Sequence, residues 1–277
     1  MTDEDYLFLA RLARRRGGLD LPEGRGAKLE WRLKPVLQRF GLGDVSALIA
    51  QLKLGHETLA EAVVEAFTVS ETSFFRDKPV FERLGNEILP GLMAAPRREK
   101  RLGIWSAACA TGQEVWSLAM LLDGLPLKDW SVDLIGSDLS RAAVARAELG
   151  HYSQFEVLRG LSEEDVARYF RAQERGFLVS ETLRRRARFR VFNLLDSFGW
   201  LDSLDLILCR NVLMHFDRAQ RTDVLERLAE TLAPGGVLVL GEAETALPPA
   251  APYREMPGLP GFFTRAGAQV MRFSAAS

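Results

Sequence analysis

LGIWSAACATGQEVWSLAMLL (Leu102–Leu122) is the stretch whose reading decides the fold. Residues 102–109 form a short apolar run that tapers to small side chains. Ala110-Thr111-Gly112 then turns the chain, and from Gln113 to Leu122 the apolar residues take helical spacing. A buried strand that passes through a glycine turn into a helix is the opening unit of an α/β sheet. Similar units follow. Trp130 to Ser137 reads as a second strand closed by Asp138, and Ser140 to Leu149 as a helix with Ser140 at its N-cap. Leu204–Cys209 is another buried-type strand, followed by a helix from about Arg218 to Ala233, a Pro234-Gly235-Gly236 turn and a strand at Val237–Leu240. This alternation predicts a doubly wound, Rossmann-like α/β sheet with helices on both faces. Phe177–Val179 and Ala187–Phe192 break the rhythm. They alternate like exposed antiparallel strands and predict a small antiparallel β excursion over about 158–192.

Upstream the pattern is helical, from Asp5 to about Leu84. Apolar residues recur at three-to-four spacing in Tyr6, Leu9, Leu12 and Ala13, and again in Leu29, Leu33, Val36, Leu37 and Phe40. Gly17-Gly18, Gly41-Leu42-Gly43 and Gly55 cut this region into short helices. An all-α N-terminal domain over 1–85 is therefore expected ahead of the sheet domain at 86–277. Pro90–Arg101, with its charges Arg97 to Arg101, reads as the linker.

Composition narrows the function classes. The chain has 277 residues, a formal net charge of -1 and two cysteines, Cys109 and Cys209. That charge gives no bulk cationic field for nucleic acid. The cysteine spacing fits neither a disulfide framework nor a zinc site, so no metal is expected. No apolar run reaches the eighteen or so residues that span a bilayer. The acidic start (Asp3, Glu4, Asp5) has the wrong sign for a secretory signal, so the cytoplasm is the expected compartment. One region is locally basic: between Arg11 and Arg39 nine cationic side chains face only Asp20, Glu23 and Glu30. Such a run is either a solvated helix face or a surface for an acidic partner.

In an open α/β sheet the ligand sits outside the carboxyl ends of the strands. Ala110-Thr111-Gly112-Gln113-Glu114 falls there, with Gly112 expected to let the backbone approach a ligand closely. A complete GxGxxG is missing, which argues against a dinucleotide pyrophosphate site. Asp138 ends the next strand, where an acidic side chain accepts hydrogen bonds from ribose hydroxyls. Arg210 and Asn211 reach the same rim from the strand ending in Cys209. Enzymes that methylate amino groups usually show Asn/Asp-Pro-Pro-aromatic here, whereas this chain has Arg-Asn-Val-Leu. Two readings of Arg210 stand side by side: a guanidinium for an acidic substrate, or a structural ion pair capping the sheet.

Taken in order, the segments resemble the chemotaxis receptor methyltransferases, the CheR family, from about Tyr6 to Phe273. VSETSFFRD (Val69–Asp77) resembles its Thr-x-Phe-Phe-Arg signature, and WSAACATGQEVWSLAML (Trp105–Leu121) its S-adenosylmethionine loop. GSDLS (Gly136–Ser140), GHY (Gly150–Tyr152), NLL (Asn193–Leu195), CRNVLMHFD (Cys209–Asp217) and LAPGGVLVLGEAE (Leu232–Glu244) complete the set. The resemblance implies S-adenosylmethionine as cofactor. Ser70 and Thr72 belong to the segment closing on it, and Arg76 pairs with its carboxylate. Glu114 takes its amino group, Asp138 its ribose, and Asn193 and Leu194 flank adenine, while Arg210 and Asn211 complete the pocket near the methyl group. Phe74 and Phe75 read as packing between the domains. Departures are Ser70 for a frequent Asn, Gln113 for a first glutamate, Val115 for Pro, Trp116 for Tyr, and His215 for a tyrosine beside Arg210. His215 serves either in positioning at the catalytic end or as a packing replacement.

The implied reaction is transfer of a methyl group to glutamate carboxylates of chemoreceptors. The implied partner is their cytoplasmic helical bundle, met by the basic N-terminal helices. Members that tether to a receptor's C-terminal peptide use the β excursion with a longer loop than Arg171–Gly176 offers, so recognition without that tether is expected. A non-catalytic S-adenosylmethionine-binding module, and a class I methyltransferase with another substrate, are the alternatives.

Overall fold

The computed structural model describes residues 1–21, 24, 26–96, 99–248 and 251–267. It begins with helices α1 (Asp3–Gly17), α2 (Gly26–Phe40), α3 (Val45–Lys53) and α4 (Glu57–Phe67). Thr2 and Asp5 form a reciprocal capping box at the start of α1. The helix stops at Gly18, whose φ of +67° is a left-handed conformation that glycine adopts without a Cβ penalty. Asp44 and the His56 ring cap α3 and α4. The predicted apolar stripes meet in a core of their own, built on Leu9, Ala13, Leu33, Leu48, Leu59 and Val63. Much of the basic run is engaged: Arg14 pairs with Asp20 and Arg16 with Glu57, while Arg32 donates to the Phe67 carbonyl at 2.9 Å. Glu23 and Arg25 lie outside the described residues.

The expected linker starts later than Pro90. Helix α5 (Lys78–Arg83) runs through a π turn (Leu84–Ile88) into α6 (Leu89–Ala94). Pro90 comes just after that π turn, at the second position of α6 within one continuous run of helix. Arg97 and Arg98 lie outside the described residues, as does Phe273.

Then come β1 (Arg101–Ala107), α7 (Gln113–Asp123), β2 (Ser131–Asp138), α8 (Arg141–Leu149), β3 (His151–Tyr152), α9 (Gln154–Leu158) and α10 (Glu163–Tyr169). They are followed by β4 (Phe170–Gln173), β5 (Gly176–Val179), α11 (Glu181–Arg184), β6 (Ala187–Val191), β7 (Leu204–Cys209), α12 (Arg218–Thr231), β8 (Leu232–Leu240), β9 (Tyr253–Met256) and β10 (Leu259–Arg265). One sheet has the order β6-β2-β1-β7-β8-β10-β9. Its first five strands are parallel, and β10 and β9 add antiparallel. Period-two alternation splits the strands between two cores. Ile104, Leu206, Leu208, Val237 and Val239 face one side with α7. Trp105, Ala107, Ile207, Cys209, Leu238 and Leu240 face the other, against Val224, Leu225 and Leu228 of α12.

Two strand assignments differ from expectation. Ala187–Val191 is not part of the excursion; it pairs parallel to β2 as the edge of the main sheet. Its exposed arginines alternate because an edge strand at the rim meets water on one face, which mimics the antiparallel pattern. The excursion is instead a three-stranded sheet, β3-β5-β4. Pro234-Gly235-Gly236 is a bulge rather than a turn before a strand. Leu232 already pairs with Leu204, and the register resumes at Val237 opposite Leu206.

The chain leaves β1 toward β2 and β6 on one side and returns to β7 on the other. The order reverses between β1 and β7, so a crevice opens at their carboxyl ends. The helical domain docks there. Glu65 of α4 accepts from the Ser140 hydroxyl and the Ala142 N–H, both at 2.9 Å. Asn193 donates to the Arg16 carbonyl at 2.6 Å, and the Asp20 N–H donates to the His215 carbonyl at 3.0 Å. A Cβ on Gly18 would stand 2.1 Å from the Phe216 ring, so this contact requires glycine.

Candidate cofactor and active site

The crevice is a cavity walled by both domains. Thr72, Arg76, Glu114, Asp138, Asn193, Leu194, Arg210, Asn211 and His215 all line it, although they come from five separate segments. Leu19, Leu139, Phe192 and Phe216 supply apolar wall. Gly112 and Ser70 are not among the lining residues. Gly112 starts α7 with φ +94°, and a Cβ there would come within 2.7 Å of the Ala147 Cβ, so the glycine permits α7 to pass α8. Ser70 is exposed beside Val69 and Glu71, which do line the cavity.

Arg210 organises the polar end. Its side chain is 1% exposed and bridges Glu114, at 2.8 Å, to Asp77. It also donates to the Arg76 carbonyl at 3.1 Å. The other oxygen of Glu114 accepts from the Ser106 hydroxyl at 2.8 Å. Breaking a buried pair of this kind by removing one partner costs about 3–5 kcal/mol, because the remaining charge is left desolvated. Asp138 also lines the cavity and accepts from the Ala110 and Ser140 N–H groups at 2.8 and 2.9 Å. Burial raises its carboxyl above the usual range, and those two backbone donors offset part of the rise. Burial also drives the Cys109 and Cys209 thiols well above their ordinary values, so neither is a thiolate nucleophile.

Among the described residues the non-glycine residues with positive φ are Phe75, Asp77, Ala108, Ala110 and Asn211. All lie in the segments that form or border this cavity. Left-handed backbone costs an L-residue roughly 1–2 kcal/mol, and such strain concentrates at functional sites. Residues 70–256 match the family described as CheR methyltransferase, SAM binding domain. The chain belongs to the CheR family. It is 36% identical over 255 residues to chemotaxis protein methyltransferase 1 of Pseudomonas aeruginosa, covering 90% of this chain and 93% of that protein. Chemotaxis protein methyltransferase Cher2 of Pseudomonas putida is 35% identical, over 82% of this chain and 85% of its own. The probable biofilm formation methyltransferase WspC of P. aeruginosa is 33% identical over 86% of this chain, but only 56% of its own length is covered.

The donor set suits S-adenosylmethionine, the cofactor of this CheR domain. Its ammonium and sulfonium are cationic, and the cavity presents Glu114 and Asp138. Its carboxylate calls for a cation, and Arg76 lines the cavity with N–H donors beyond the one bonded to the Glu71 carbonyl at 3.0 Å. Leu139, Phe192 and Leu194 give the chamber an apolar wall of the kind a purine ring requires, and the Asn193 amide beside them already donates to the Arg16 carbonyl and accepts from the Leu195 N–H at 3.0 Å.

Three residues of the CheR site carried no sequence expectation. Asp77 is the second carboxylate on Arg210. Glu65 ties α4 to the start of α8, next to Asp138. Glu244 is fully buried and accepts from the N–H groups of Asn211 and Val212 at 2.7 Å, Gly241 at 2.9 Å and Met214 at 3.3 Å. It holds the loop that carries Arg210, Asn211 and His215. Its place at the end of LAPGGVLVLGEAE, after four consecutive apolar residues, was the available signal: a charge there must be either solvated or fully bonded.

Proposed function

We propose that the protein transfers the methyl group of S-adenosylmethionine to glutamate side-chain carboxylates on the helical cytoplasmic bundle of chemoreceptors, forming methyl esters. The observation that carries this is one chamber, closed by both domains, in which Arg76, Glu114, Asp138, Asn193 and Arg210 converge. When bound, the cofactor supplies an electrophilic methyl group on a sulfonium.

The chain's own residues then hold and exclude. A glutamate has a reference pKa of about 4.3, so the incoming carboxylate is ionised at neutral pH and needs no general base. Positioning is the main task, and orientation contributes roughly 7–11 kcal/mol at best. Asp138 takes the ribose end, Glu114 the amino group and Arg76 the carboxylate. Arg210 is already engaged by Glu114 and Asp77. With both partners already on it, it does not grip a substrate carboxylate tightly, which avoids stabilising the ground state. The docked helical domain keeps water from the charged pair, and desolvation favours a transition state in which both charges fade. His215, at the end of the 3-10 turn Leu213–His215, stands at the same wall and positions the substrate side.

The protein works in the cytoplasm and recognises receptors without a C-terminal peptide tether. In support, β4 and β5 pair through Gln173 and Gly176, leaving only Glu174 and Arg175 as a tight turn with no loop for a peptide. No helix among the described residues is long and apolar enough to cross a membrane.

Labelled S-adenosylmethionine with receptor-bearing membranes tests the activity. Alkali-labile label released as methanol is the expected result. Alkali-stable label would replace the ester by another acceptor, and cofactor binding without transfer would make the protein a sensor.

A further inference from the structure

A second groove adjoins the cofactor chamber on the outer face of the Glu71–Lys78 segment. It shares Glu71, Thr72 and Arg76 with the chamber and is closed on its far side by Leu158 and Arg159. Beside it α9 exposes two large apolar side chains, Phe155 at 76% and Leu158 at 52%. They are three positions apart on one helical turn and so share a face. A single exposed apolar residue is ordinary, but a pair flanking a groove at a reactive site marks a contact surface. Charge selects the partner. Arg76, Lys78 and Arg159 line the groove against Glu71 and an Asp77 already held by Arg210. Lys78 and Arg159 make no ion pair among the described residues.

The groove is also tied mechanically to the chamber. A Cβ on Gly160, just after α9, would lie 2.0 Å from the Phe74 carbonyl oxygen, so the end of α9 rests directly on the segment that carries Thr72 and Arg76. Phe74 is in turn wedged edge-on against Tyr152 and Phe170 of the excursion, at 5.1 and 5.5 Å between ring centroids. A partner lying on α9 therefore bears on the chamber's own wall.

We propose that α9 and the Glu71–Lys78 segment form a ledge for the receptor helix that carries the target glutamate. Apolar side chains one turn from that glutamate sit on Phe155 and Leu158, and acidic side chains face Lys78 and Arg159. The ledge rests on the receptor-methylating activity proposed above. It is a surface separate from the basic N-terminal helices and sets which glutamates reach the chamber.

The test uses the full chain, labelled S-adenosylmethionine and a receptor cytoplasmic fragment. The Phe155→Ser/Leu158→Ser double variant should raise KM for the fragment tenfold or more, with kcat and S-adenosylhomocysteine affinity within twofold of wild type. Phe155→Leu should keep the wild-type KM. Arg159→Glu should also raise KM, by a factor that shrinks as salt is added. Unchanged KM in the double variant and in Arg159→Glu overturns the ledge while leaving the activity standing. A dimer in sedimentation that the double variant dissociates, with KM unchanged, gives the patch to a second copy and also overturns it. Absence of alkali-labile transfer by the wild type removes the activity and the ledge together.

Discussion

Replacing Glu244 by glutamine changes one atom in a fully buried group and should disable the cofactor site from a distance. The carboxylate takes four backbone N–H groups, two on each oxygen: Val212 and Met214 on one, Asn211 and Gly241 on the other. A glutamine keeps one oxygen and turns an NH2 toward the remaining two donors, which nothing else is placed to accept. Each buried donor left without a partner costs about 1–3 kcal/mol, so the pair costs roughly 4 kcal/mol. If the loss spreads through the sheet domain, Tm falls by about 8–16 °C, at about 2–4 °C per kcal/mol for a domain of this size. If instead the loop opens locally, Tm moves little and the loss appears in binding, because Arg210, Asn211 and His215 leave their places. About 4 kcal/mol is then roughly a thousandfold in Kd. Differential scanning calorimetry with and without S-adenosylhomocysteine, together with titration calorimetry, separates the two cases. A Tm within 2 °C and a Kd within threefold of wild type would refute the assignment of Glu244 as the anchor of this loop.

Arg210→Ala should reduce methyl transfer by more than a hundredfold while S-adenosylhomocysteine affinity falls far less; equal losses in single-turnover rate and in Kd would make the guanidinium a structural bridge only. Cofactor affinity should fall as pH drops through an Asp138 pKa raised by burial, because the ribose is received by the ionised carboxylate. The fall should therefore begin at a higher pH than for an ordinary aspartate, and Asp138→Asn should flatten that part of a pH titration of Kd. Gly18→Ala places a Cβ 2.1 Å from the Phe216 ring at a φ of +67°, so it should lower Tm by several degrees and weaken cofactor binding through the docked domain. Unchanged values in both measurements would show that the contact yields freely.

The sheet was legible because its central strands bury both faces and therefore read as largely apolar runs, as in Leu204–Cys209, where Asp205 is the one charge. The helical domain was legible from the same cause at another period. What misled was context. Ala187–Val191 alternates polar and apolar residues because it lies at a parallel sheet's edge, and alternation alone cannot report the direction of a partner strand. Gly112 looked like a ligand-facing glycine from its place after β1, yet its neighbour is Ala147 of α8, a contact set by tertiary packing. The acidic and basic residues at strand ends could be named individually. Their mutual pairing could not, since Asp77, Glu114 and Arg210 are far apart in sequence and meet only through the tertiary fold.

That docking explains why the site tolerates so much local cost. Ala108, Ala110 and Asn211 hold left-handed backbone, Asp138 is desolvated, and Arg210 is buried against Glu114. None of these features helps the sheet domain fold, and each by itself opposes it. They persist because the surrounding structure leaves no cheaper arrangement. Glu244 fixes the Asn211 end, the Ala110 and Ser140 N–H groups fix Asp138, and the Arg16 and His215 carbonyls fasten the helical domain across the top. Asn193 and His215 line the chamber and also bond the helical domain, so the cavity wall and the docking contact share residues. A change at the docking contact, far from the reacting carboxylate, reaches the chemistry by loosening the chamber rather than by touching it.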